Sequence, residues 1–104
     1  MAHIKGNFAV RGFQLPTQAG PFKLELPSSE WHVLNVIPQG AASVVVVEYA
    51  LPSHMLAAVP FEAVADDNWH TGLPSNFAYL GTYSTISGGV LHLYGPRNIF
   101  CDYR

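Results

Sequence analysis

Trp31-His32-Val33-Leu34-Asn35-Val36-Ile37-Pro38-Gln39-Gly40-Ala41-Ala42-Ser43-Val44-Val45-Val46-Val47-Glu48-Tyr49-Ala50 decides the fold. Its second half is β-branched through the centre, and such side chains are stiff in a helix but pack well on a pleated surface. The run 43–50 therefore reads as the most buried strand of a sheet, closed by Pro52. The first half alternates Trp31, Val33 and Ile37 with His32, Leu34 and Val36, which makes a strand apolar on both faces. Between the halves stands Pro38-Gln39-Gly40. Proline presets φ at the first central position of a turn and glycine relieves the exit, so the two strands pair as a hairpin.

Toward the N-terminus, Phe22, Leu24 and Leu26 face one way and Lys23 and Glu25 the other, bounded by Pro21 and Pro27. Phe8 to Phe13 is a weaker strand, flanked by Gly6 and interrupted by Gly12, a pattern that points to a bend or bulge. Toward the C-terminus, Phe77 to Tyr83 and Val90 to Tyr94 flank Ser87-Gly88-Gly89, where glycine supplies the positive φ of a tight hairpin. Gly95-Pro96-Arg97-Asn98 then turns the chain into a last strand over Ile99 to Tyr103. The stretch 53–59 allows one helical turn capped by Ser53 or a short strand; Pro60 would break a helix, so the expectation is a strand. The reading is all-β: a small antiparallel β-sandwich or barrel of about seven short strands. With 104 residues, 1–104 form one domain, since two cores would each be too small to offset the entropy of ordering their chain.

Charged residues make up 12% of the chain, about half the usual share of roughly 25%. With a net charge of −2, the surface is short of the charge that keeps a free domain dispersed. Part of that surface is expected to be covered by protein. Nucleic acid is excluded as a partner, because Lys5, Arg11, Lys23, Arg97 and Arg104 are too few and too scattered to neutralise a run of phosphates. The apolar run Val44 to Val47 falls far short of the ~20 residues that span a bilayer, and Met1 to Asn7 lacks the apolar core of a signal peptide. No membrane and no secretion by a signal peptide are therefore expected. Cys101 is the only cysteine, so neither an internal disulfide nor a cysteine-based zinc site can form.

Asp66-Asp67-Asn68-Trp69-His70 is the one place where carboxylates and an imidazole crowd together along the chain. A metal needs three or more converging ligands, and no HxH or HExxH pair fixes such geometry, so a polar loop is the expected reading. His3, His32, His54, His70 and His92 are far apart; for His32 and His92, inside strands, a hydrogen-bonded imidazole on a sheet face is expected. Cys101 beside Asp102 has no cationic neighbour to lower its thiol pKa. GxGxxG, GxxxxGK[ST] and GxSxG motifs are absent. The chain is thus expected to be no enzyme, with no catalytic, cofactor-binding or metal-ligating residue and no cofactor.

Aromatic residues reach 12% in a chain this poor in charge. Aromatics anchor protein interfaces and also fill small β cores. Trp31, Trp69, Tyr79, Tyr83, Tyr94 and Tyr103 are the interface candidates, with Tyr79 and Tyr83 expected to share one strand face. Tyr79-Leu80-Gly81-Thr82 followed by Ser87-Gly88-Gly89-Val90-Leu91-His92-Leu93-Tyr94 resembles the C-terminal hairpin of small bacteriophage virion structural proteins. That resemblance covers the last quarter of the chain and carries over no functional residue. It implies a non-enzymatic subunit of a capsid or tail, such as a decoration or connecting protein, located in the virion if viral and otherwise in the cytoplasm. The partners expected on this reading are copies of the chain itself, forming a homo-oligomer, or other subunits of a protein lattice. The alternative is a small β-barrel binding an apolar or carbohydrate ligand against aromatic side chains in its mouth.

Overall fold

The computed structural model describes residues 6–27, 30–38, 42–51, 56–67, 72–86 and 89–96. Seven strands are formed: β1 (Phe8–Gln14), β2 (Gly20–Leu26), β3 (Trp31–Ile37), β4 (Val44–Ala50), β5 (Ala57–Ala65), β6 (Phe77–Ser84) and β7 (Val90–Pro96). Every pairing is antiparallel, and the strands lie in two sheets of order β1-β4-β3 and β2-β5-β7-β6. The two sheets enclose one core between them, which makes the fold a β-sandwich. The division of the strands into two sheets sets the barrel alternative aside.

The valine run sits where its composition demands. β4 is the central strand of its sheet, and Val45 and Val47 are fully buried against Leu26, Phe61 and Leu93 of the other sheet. Trp31 of β3 and Phe61 of β5 bridge the layers with ring centroids 6.3 Å apart, and Phe22 of β2 stacks on Phe61 at 5.7 Å. Two glycines permit the closest approaches. A Cβ on Gly95 would lie 2.3 Å from the Phe61 ring, and one on Gly81 would lie 2.7 Å from Val36, where β6 meets β3. Tyr83, 2% exposed, donates its phenolic hydrogen to the Pro16 carbonyl at 2.8 Å and so fastens the β1–β2 connection to the four-stranded sheet.

The structure corrects the expected side-chain faces at two bulges. Between Val33 and Asn35 the β3–β4 register shifts, and the extra residue, Leu34, is 43% exposed. An extra residue inverts the alternation beyond it, so Val36 rather than Ile37 joins Trp31 in the core. The second shift lies between Tyr79 and Gly81. Tyr79 and Tyr83 therefore do not share a face: Tyr79 points out and is 54% exposed, and Tyr83 points in.

β5 is longer than expected and runs through Pro60 to Ala65. Pro60 is tolerated because the half of β5 around it pairs with β2 alone, opposite Lys23, while β7 joins only from Glu62 onward. A proline lacks only the hydrogen that this unpaired side does not use. The β6–β7 hairpin is closed by the Thr85 amide donating to the Gly89 carbonyl at 2.8 Å, and Gly89 does not take a positive φ. Gly88, the centre of the expected Pro38–Gly40 turn and the expected strand over 99–103 lie outside the described residues.

Candidate functional site

The outer face of the four-stranded sheet carries a regular grid. Register places Glu62 beside Tyr94 and Tyr79, then Val64 beside His92 and Thr82, and last Asp66 and Ser84 on either side of Val90. Asp66 follows the end of β5, and its amide donates to the Val90 carbonyl at 3.0 Å. That bond keeps its carboxylate on the same face as Val64 and His92.

A chain of hydrogen bonds crosses the grid. His92 Nε2 lies 2.8 Å from Asp66 Oδ1, His92 Nδ1 lies 2.8 Å from Thr82 Oγ1, and Thr82 Oγ1 lies 2.5 Å from the Tyr79 hydroxyl. The polarity follows from what each group can do: a carboxylate only accepts, so Nε2 carries the hydrogen. In the neutral imidazole Nδ1 then accepts from Thr82, and Thr82 accepts from Tyr79. The Tyr79 ring also meets Tyr94 edge to face at 5.6 Å and 64°.

Carboxylate, imidazole and hydroxyl in this order are the parts of an activated nucleophile. The surroundings do not complete one: Asp66 is 58% exposed and His92 29%, the hydroxyl is shared with Tyr79, and the row lies on an open sheet face. What the arrangement does is hold an exposed aromatic ring and a line of oxygen acceptors in fixed positions. Shallow grooves lie at both ends. One of about 330 Å³ is lined by Pro21, Lys23, Pro60, Glu62, Pro74 and Phe77, and another of about 410 Å³ lies at the end of the sandwich, where Thr17 and Ala19 of the β1–β2 connection meet Asp66, Thr85 and the core-side Ala65 and Leu91.

The outer face of the three-stranded sheet is different in kind. Phe8 and Val10 of β1 are 45% and 51% exposed, and Val44 and Val46 of β4 and Ile37 of β3 lie half-buried on the same side. Glu48 is buried on this face between Val10 and His32. Burial holds the His32 imidazole below its ordinary value of 6.5, against the upward pull of the Glu48 carboxylate.

Of the six aromatic candidates, Trp31 and Tyr83 are core residues and not surface contacts, since both rings fill the space between the sheets. Tyr79 and Tyr94 are brought together on the outer face, and Trp69 and Tyr103 lie outside the described residues. Asp66 is paired with His92; Asp67, exposed, takes a φ of 58° in the turn after β5, and His70 lies outside the described residues. Among the described residues no three His, Cys, Asp or Glu side chains form a metal-holding group. Among the same residues no helix is long and apolar enough to cross a membrane. Thr82 is the residue that sequence reasoning missed; pairing the two strands across the Thr85–Gly89 closure would have set it opposite His92. Comparison with known protein families, with characterised proteins and with solved structures finds no match to this chain.

Proposed function

We propose that the chain is a non-enzymatic structural subunit of a larger protein assembly, and that its form is a bacteriophage virion component such as a capsid decoration or connecting protein. The observation that carries the assembly reading is the outer face of the three-stranded sheet. An antiparallel sandwich sheet ordinarily turns polar residues away from its core. Here the outward positions include Phe8, Val10, Val44, Val46 and Ile37, with Leu34 standing out from its bulge. A chain with 12% charged residues has little to keep such a face from meeting another. The virion form follows the resemblance of the 79–94 hairpin, and the partners are copies of the chain or other subunits of a lattice.

Solution mass by light scattering across a concentration series, at low and moderate salt, tests the reading. The expected result is a defined oligomer that persists in salt, because apolar contacts are not screened. Val10→Lys, at a position 51% exposed, should shift it toward monomer without loss of fold. A strict monomer at every concentration, unchanged by this substitution, would overturn self-assembly through this face.

A further inference from the structure

We infer that the outer face of β5, β7 and β6 binds a neutral carbohydrate chain, with Tyr79 as the stacking platform and the Tyr79–Thr82–His92–Asp66 row as its line of acceptors. This site lies on the opposite sheet from the proposed assembly face and stands or falls separately. Tyr79 is 54% exposed and yet fixed at both ends, its ring against Tyr94 and its hydroxyl against Thr82. An exposed aromatic already held in one orientation loses little conformational freedom when something stacks on it. The core does not need this ring, since Phe61, Trp31 and Tyr83 fill it.

Donor accounting then selects the ligand. With His92 neutral, the hydrogens run from Tyr79 to Thr82 to His92 and from His92 to Asp66, so both nitrogens of the imidazole are used. What remains is lone pairs: on the Tyr79 oxygen, on Thr82 Oγ1 and on the second oxygen of Asp66. A ligand for this row must bring hydrogens. Sugar rings do so from their rim hydroxyls while offering C–H groups to an aromatic ring. A phosphate, sulfate or carboxylate is an anion and would face the carboxylates of Asp66 and Glu62. Glu62 to Asp66 spans about 13 Å of strand, and the groove of Pro21, Lys23, Pro60 and Phe77 continues from Glu62, which gives length for more than one sugar ring.

The test titrates the intact protein with soluble neutral oligosaccharides, α- and β-linked glucans, xylan fragments and chitin fragments, followed by amide NMR shifts. Inorganic phosphate and tetramethylammonium serve as the anionic and cationic probes. At least one oligosaccharide should saturate, shifting amides of 79–82 and 90–94. Tyr79→Ala should weaken it at least about tenfold, and Tyr79→Phe by less. Both variants should keep the parent's cooperative unfolding and light-scattering mass, which separates this site from the assembly face. The proposal is overturned if no oligosaccharide shifts these amides at about 10 mM, if Tyr79→Ala binds as the parent does, or if phosphate or tetramethylammonium alone occupies the face.

Discussion

Replacing Gly95 with alanine should destabilise the fold through one specific collision. The new Cβ would stand 2.3 Å and 2.7 Å from two atoms of the Phe61 ring and 3.1 Å from Leu80. Carbon atoms rest at about 3.5–4.0 Å, so the ring has to retreat by more than about 1 Å. It has little room to do so: Phe61 is 1% exposed, stacked on Phe22 and pressed toward Trp31. Overpacking of this kind costs about 1–3 kcal/mol, against a gain of about 0.4–1 kcal/mol from restricting the unfolded chain. The net expectation is a loss of about 1–2 kcal/mol, equivalent to a fall in Tm of roughly 5–15 °C for a domain of this size. Urea midpoints by circular dichroism, at one fixed protein concentration, measure it. Phe61→Val lacks both obstructing atoms, Cδ2 and Cε2, so Gly95→Ala in that background should cost little, a coupling of about 1 kcal/mol or more. Additive effects of the two substitutions, or a Gly95→Ala protein as stable as the parent, would refute the reasoning.

Tyr83→Phe should cost about 1 kcal/mol, because it leaves the Pro16 carbonyl without its phenolic donor; an unchanged urea midpoint would count against that bond. Burial pushes the Tyr83 phenol up from 10.0 to about 12. The folded chain therefore keeps a proton that the unfolded chain loses, and the stability from this group is full below pH 10.0 and lost as pH rises to about 12. Alkaline unfolding should accordingly be less steep in Tyr83→Phe. For His32 the sign is opposite: its folded pKa is depressed below 6.5, so the unfolded chain binds the proton first and stability falls as pH drops through and below 6.5. Urea midpoints of His32→Gln between about pH 7.5 and pH 5 should decline less than those of the parent, and parallel declines would remove His32 from the account.

The sandwich was legible where alternation or β-branching was unbroken. The strands at Phe22 to Leu26, Val44 to Ala50 and Val90 to Tyr94 form where the sequence pattern sets them, but β2 takes in Pro21, read as its bound, and β7 runs on through Gly95 and Pro96, read as a turn. β5 was not, because Pro60 reads as a terminator unless one knows that β7 pairs only beyond it. The faces of Val36 and Tyr83 were not legible either, since nothing in the residues around Leu34 or Leu80 announces a bulge. The site suffered most from this. His92 was readable as a hydrogen-bonded imidazole on a sheet face, but Asp66 and Thr82 reach it from 26 and 10 residues away, and only the registers of β5 and β6 against β7 bring them there.

The bulge at Leu80 makes strand length itself part of what the sequence specifies. It acts as a phase marker: everything after it in β6 is read one step out from everything before it. Loss of Leu80 would remove the bulge and leave a regular ladder, with Tyr79 still outward opposite Tyr94 and Tyr83 still inward opposite Leu91, whereas an extra residue placed between Leu80 and Tyr83 would set the two tyrosines out of phase with β7. The hydroxyl chain and the Tyr83 tether to Pro16 depend on opposite phases of the same strand. Single-residue deletions should therefore be tolerated better at Leu80 and Leu34, which the registers already skip, than inside β2, whose register against β5 has no bulge to absorb the change.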